Sequence, residues 1–192
     1  MATSQRGSGP ESDGTYVALL RGINVGGKNK LPMKDLMALF GEAGCTDVQA
    51  YIQSGNLVFR APAVLAPRVP VLIERAIRDR FGFSVPVVTR TAEEIGQVAR
   101  ANPFVASGGD VEALHVAFLA DHPSDARVAT LDPDRSAPDQ FEVRGREVYL
   151  HLPNGVARSK LTNQYFDSRL ATVSTVRNWR TVLKLVEMTT VP

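Results

Sequence analysis

The sequence predicts an α+β protein that runs through the element order β-α-β-β-α-β twice. Three observations lead there. Two apolar hairpins lie around residues 50–59 and 141–152, and helical apolar spacing stands before and after each of them. The chain has 192 residues, which at ~150 residues per domain allows one domain or two small ones. Forty-four per cent apolar and 22% charged residues can bury a real core, which excludes a largely disordered chain, a collagen and a disulfide miniprotein.

The elements follow in order. Met1–Gly14 is polar and too poor in apolar residues to offset its ordering entropy, so a disordered tail is expected. It has no apolar h-region, and no signal peptide is expected. Tyr16–Ile23 fits a buried strand closed by Gly22 and the Gly26-Gly27 pair. A helix starts near Pro32, placed at the first helical position, with Met33, Leu36, Met37 and Phe40 on its apolar face and Gly44 at its end. The first hairpin is read with Ser54-Gly55 as a two-residue turn, pairing Gln53 with Asn56, Ile52 with Leu57 and Ala50 with Phe59. A helix through Val69, Leu72, Ile73, Ala76 and Ile77 follows, then a strand over Phe83–Thr89 whose Pro86 marks a sheet edge. This order is the ferredoxin-like split βαβ motif.

The second half repeats it. Thr91 and Glu94 spell a capping box for a linking helix within 91–111. Leu114–Ala120 reads as a strand and Ser124–Leu131 as a short helix. The second hairpin turns at Gly145-Arg146, pairing Val143 with Val148, Phe141 with Leu150 and Arg144 with Glu147, the last a charge pair. Leu161–Leu170 is a helix with Ser159 as its N-cap, Ala171–Val176 a strand, and Trp179–Met188 a helix with Trp179, Val182, Leu183 and Val186 inward. Two ferredoxin-like (βαββαβ) subdomains with antiparallel sheets are expected, at 15–90 and 112–192.

Bulk charge is only +2 and names no partner. Its distribution is uneven: 10 acidic and 3 basic residues lie between Thr91 and Glu142, against 8 basic and 2 acidic between Arg144 and Lys184. The stretch from Arg21 to Lys34 adds four basic residues and no acid. Such segments attract anions locally. No apolar run reaches the ~20 residues that span a bilayer, so no membrane association is expected. Cys45 stands alone, and a cytoplasmic protein is expected. His115, His122 and His151 stand at no metal-ligand spacing, so neither a metal nor another cofactor is expected.

Four segments are specific. They are Leu20-Arg21-Gly22-Ile23-Asn24-Val25-Gly26-Gly27-Lys28-Asn29-Lys30, Tyr51-Ile52-Gln53-Ser54-Gly55-Asn56, Ser159-Lys160-Leu161 and Arg177-Asn178-Trp179. On these the chain resembles a bacterial family catalogued as domain of unknown function 1697, from about Tyr16 to Glu187. The resemblance implies two ferredoxin-like subdomains, as the strand order does, and it implies no activity.

The first segment contains G-x-x-x-x-G-K after an apolar strand, the spelling of a phosphate-binding loop. Asn29 stands where a magnesium-binding Ser or Thr would be, so nucleotide hydrolysis is not expected. An anion resting on backbone N–H groups is the reading retained. A second candidate is the run from Asn154 to Asn163, and a third the basic stripe of the last helix. The RNA-binding signature of ferredoxin-like sheets is absent from Asn56–Arg60, which disfavours stacking of bases on the sheet face.

Together these predict binding of a phosphate-bearing ligand, a nucleic acid or nucleotide, on one concave basic surface shared by both subdomains. The candidate contacts are Arg21, Asn24, Lys28, Asn29, Lys30, Gln53 and Asn56 from the first, and Lys160, Asn163, Arg177, Asn178, Arg180 and Lys184 from the second. A small-molecule enzyme in the cleft between subdomains is the alternative, though no general base stands out. A protein-interaction module using the edge strand near Val85–Thr89 is a third reading.

Overall fold

Alternation along strand β1 (Gly14–Leu20) sets the architecture: Ala18 and Leu20 go to one face, Val17 and Leu19 to the other, and all four are fully buried. The structure, a computed structural model, describes residues 13–106, 108 and 110–190. Strands β2 (Thr46–Tyr51), β3 (Asn56–Ala61) and β4 (Val87–Thr91) join β1 in the order β2-β3-β1-β4, every neighbour antiparallel. Helices α1 (Met33–Glu42) and α2 (Val69–Phe81) close one face, where Leu36, Phe40, Ile73 and Ile77 join Ala18, Leu20, Leu57 and Phe59. Phe59 lies 5.1 Å from the ring of Phe40 with no exposed surface. Its truncation to Ala would cost ~3–5 kcal/mol.

The chain then crosses through α3 (Ala92–Arg100), held by the complete Thr91–Glu94 capping box, and the short α4 (Pro103–Ala106). Strands β5 (Leu114–Leu119), β6 (Gln140–Arg144), β7 (Glu147–His151) and β8 (Ser174–Asn178) form a second sheet in the equivalent order β6-β7-β5-β8. Its outer face is covered by α6 (Asn163–Leu170) and by the one-turn α5 (Asp125–Val128). The last helix is α7 (Trp179–Thr190).

Along their central strands the remaining faces of the two sheets are turned away from water. Val17, Leu19, Val58 and Val88 of the first sheet share a core with Leu114, Val116, Phe118 and Tyr149 of the second, with Ile95 and Val98 of α3, and with Trp179, Val182 and Leu185 of α7. Helices α3 and α7 pack on each other, and α7 also packs on β1 and β3. The sheet surface on which RNA-binding relatives of this fold stack bases is therefore interior here.

The fold class is as predicted, and several local readings are corrected. β1 begins at Gly14, inside the expected tail; the tail's residues 1–12 lie outside the described residues. β1 stops at Leu20, because Gly22 and Asn24 take positive φ and turn the chain. Pro32 precedes α1 instead of opening it. β4 starts after Pro86, at Val87, and does lie at a sheet edge.

In the first hairpin Tyr51 pairs with Asn56 and Ala50 with Leu57, two residues away from the predicted register. The turn holds four residues, closed by the Asn56 amide donating to Tyr51 O and Ser54 Oγ. Gly55 is required there: its φ is +76°, and a Cβ would stand 2.7 Å from Leu20 Cβ. A shift of two preserves the faces, so Leu57 and Phe59 remain inside, but Ile52 is expelled to the surface.

The second hairpin has the predicted register throughout. Arg144 nevertheless bonds Glu142, and Glu147 bonds Arg90. Thr162, not Ser159, caps α6; the Ser159 hydroxyl accepts from the Leu161 amide. Leu183 is 45% exposed, and Leu185 takes the inward place.

Candidate functional site

Each sheet's second edge strand carries an arginine at its fourth position, and the next residue caps a helix. In β4 these are Arg90 and Thr91; in β8 they are Arg177 and Asn178, whose Oδ1 accepts from the Thr181 amide. Each arginine crosses into the other subdomain. Arg90 Nη2 donates to Leu119 O at 2.7 Å and Arg146 O at 3.0 Å. Arg177 Nη2 donates to Leu20 O at 2.6 Å and Gly55 O at 3.3 Å. These acceptors correspond, since Leu119 N bonds Arg146 O as Leu20 N bonds Gly55 O.

The difference lies at Nε. Arg90 Nε donates to the carboxylate of Glu147 at 2.8 Å, whereas Arg177 Nε donates to the amide oxygen of Asn56. Arg177 Nη1 donates to Thr175 Oγ1 at 2.8 Å and Val176 O at 2.9 Å. Its partners are thus all neutral. Burial lowers both guanidinium groups from their ordinary value, but Glu147 works against this at Arg90. Nothing opposes it at Arg177, which is brought down to about 10.

A cleft of about 360 Å³ opens beside Arg177, between the glycine loop, the first hairpin turn, the start of α6 and the start of α7. Arg21, Ser54, Asn163, Thr175, Asn178 and Thr181 are its other polar lining residues, and none of the lining residues is a carboxylate or a histidine. Arg21 reaches Asp167 at 2.6 Å and Ser174 O at 2.9 Å. Asp167, together with Gln164, lines an adjoining hollow that shares Arg21 and Asn163. The Asn163 and Asn178 side-chain oxygens accept from Ser174 Oγ and the Thr181 amide, which leaves their NH₂ groups as the donors on offer.

The other predicted residues are placed as follows. Asn24 is a clamp: its amide donates to Leu31 O and Gln53 O, and its oxygen accepts from Leu31 N. Asn29 Nδ2 donates to Gly22 O, and the loop closes on itself through Asn24 N to Asn29 O and Lys28 N to Val25 O. Those two amides face inward, so the loop is not the backbone cradle its spelling suggests. Gln53 is exposed in the hairpin turn, and Asn56 is fully buried beneath it. Lys28 and Lys30 stand exposed on the loop, outside the cleft lining.

Lys160, Arg180 and Lys184 do not line the cleft either. The Lys160 backbone bonds Ser136 and Arg135, Arg180 pairs with Glu112, and Lys184 pairs with Glu187. Arg146 likewise pairs with Glu94. At Glu112 and Glu94 the acidic stretch of the sequence neutralises the basic one in space. Thr175, Thr181 and Asp167 were not legible as site residues. Aligning Val87–Thr91 with Ser174–Asn178 would have shown the matched arginines.

Cys45 is buried, which pushes its thiol up to about 11 and leaves it unreactive near neutrality. No helix among the described residues is long and apolar enough to cross a membrane.

Comparison with known proteins gives the same fold. The chain is similar to the conserved bacterial protein SP0830 from Streptococcus pneumoniae, at 23% identity and a TM-score of 0.71, over 93% of this chain and 99% of that one. No curated protein matches it. The family model described as "Protein of unknown function (DUF1697)" matches residues 14–149, which leaves Ser159-Lys160-Leu161 and Arg177-Asn178-Trp179 beyond the matched segment. That match takes in all of the first sheet, two strands of the second and the start of a third, and the chain belongs to the DUF1697 family.

Proposed function

We propose that this protein binds a small phosphate-bearing ligand, of nucleotide size, in the cleft between its subdomains. One observation carries the reading: Arg177 is a buried cation with no carboxylate partner among the described residues, and it lines a cleft whose lining residues include no acid. Burying an unneutralised charge is costly, and an anion beside it removes that cost. The start of α7, a 12-residue helix, lies at the same cleft and adds a partial positive charge. Arg21, Asn163 and Asn178 supply further donors, and the exposed Lys28 and Lys30 on the adjacent loop draw anions in.

A nucleic acid is the weaker version of this reading. The central strands of both sheets are interior, and Lys160, Arg180 and Lys184 stand outside the cleft. A cytoplasmic location, which the solitary buried Cys45 fits, would put nucleotides within reach.

Calorimetric titration with AMP, inorganic phosphate and a ten-nucleotide single strand tests this. AMP and phosphate should saturate one site. Ser54→Asp sets a carboxylate at the cleft beside Arg177 and should remove that binding while the melting temperature is kept. Absence of any heat with both small anions, or undiminished binding in Ser54→Asp, would refute the site.

A further inference from the structure

We infer that the ligand of this cleft carries an aromatic ring next to its phosphate, held against Val25 and Ile52, which act as its specificity residues. This rests on the anion-binding reading above. Both side chains line the cleft, yet Val25 is 63% and Ile52 is 52% exposed. They come from different elements, the glycine loop and the first hairpin turn. The Asn24 amide joins those elements by donating to Gln53 O at 3.0 Å, so the two side chains are presented from one fixed frame.

Ile52 also occupies an unfavourable conformation. Its φ is +49°, a left-handed value at which a β-branched residue crowds its own backbone and Gly or Asn would sit without strain. The position gains nothing from burial in return. A strained, exposed isoleucine at the mouth of a cationic cleft is accounted for by a flat apolar group that covers it when bound. Neighbouring residues that take positive φ in the same frame, Asn24, Asn29 and Gly55, are types suited to it; Ile52 is not. A ring lying on Val25 and Ile52 would remove both from water while its phosphate faces Arg21 and Arg177.

The test is calorimetry on the full chain with inorganic phosphate, glucose 6-phosphate and phenyl phosphate. Phenyl phosphate should bind about tenfold more tightly than the other two, the scale expected for covering two aliphatic side chains. Ile52→Gly should reduce that preference to about threefold, leave phosphate affinity unchanged and not lower the melting temperature, because glycine suits the backbone. Val25→Ser should reduce the preference in the same way and serves if Ile52→Gly does not fold. Equal affinity for the three anions, or full preference in either variant, overturns this inference and leaves the anion site standing. No binding of any of the three overturns both.

Discussion

Arg90 and Arg177 occupy equivalent places in the two subdomains, make equivalent bonds to backbone carbonyls, and differ in the charge of the partner at Nε. Glu147 makes the first a complete ion pair, with Arg90 1% and Glu147 15% exposed at the side chain. Asn56 leaves the second a cation among dipoles. The first tie is therefore self-sufficient, and its surroundings are neutralised further by Glu94 on Arg146. The second holds the subdomains together just as directly but keeps a charge in reserve beside an acid-free cleft. A duplicated structural bond has thus been left unneutralised in one copy, and that copy is where an anion is most stabilised.

The comparison can be broken most strongly at Arg90. Arg90→Met strands Glu147 and removes the donor to the carbonyls of Thr89, Leu119 and Arg146, and urea unfolding should show a loss of ~3–5 kcal/mol. Arg177→Met strands neutral acceptors only and also removes an unpaired buried charge, so its loss should be smaller, ~1–3 kcal/mol. The reverse order would mean that the missing carboxylate is of no energetic consequence. Glu147→Gln keeps the hydrogen bond and removes the charge, making the first site resemble the second; a loss of ~1–2 kcal/mol by the same measurement is expected.

Asn56→Asp makes the converse change. It gives Arg177 a counter-ion and forfeits the donations to Tyr51 O and Ser54 Oγ, so the gain and the losses oppose each other and stability should move by no more than about 1 kcal/mol. Phosphate affinity, followed by titration, should fall by on the order of tenfold, since the protein then supplies the negative charge itself.

The smallest effects are in pH. Burial lowers His115 from its ordinary value of 6.5, so its contribution is present above that value and is lost as pH falls below it. Burial alone would raise Glu94, but the Thr91 amide and the charges of Arg146 and Arg90 outweigh it and hold the carboxyl below 4.5. Its contribution is lost only as pH falls through that lower value. Stability measured between pH 7 and 3 should therefore decline in two stages, and His115→Gln should flatten the upper one alone.

The fold was legible because apolar alternation and turn chemistry are local signals. Even the misplaced hairpin register kept Leu57 and Phe59 inside, since an error of two residues preserves a period of two. What failed was the inference from charge runs to a charged surface. The sequence shows Arg177 as a basic residue, but its burial depends on carbonyls of Leu20 and Gly55 more than a hundred residues away. Arg180 and Lys184 form a helical stripe in sequence; Glu187 stands three residues beyond Lys184 there, but only the fold shows Glu112 beside Arg180. The sequence pairs Ile52 with Leu57 because its hydrophobicity is visible there and its positive φ is not.

The core that α3 and α7 share with both sheets has a kinetic consequence. Two lobes joined by a linker can close on a ligand by hinge motion, but these are fused through interior side chains from β1, β3, β5 and β7. Opening the cleft by rotating one half against the other would tear that interior apart, so the two halves that wall it stay fixed relative to each other. Ligand association should then follow a single exponential whose rate rises linearly with concentration, without the plateau that a closing step imposes.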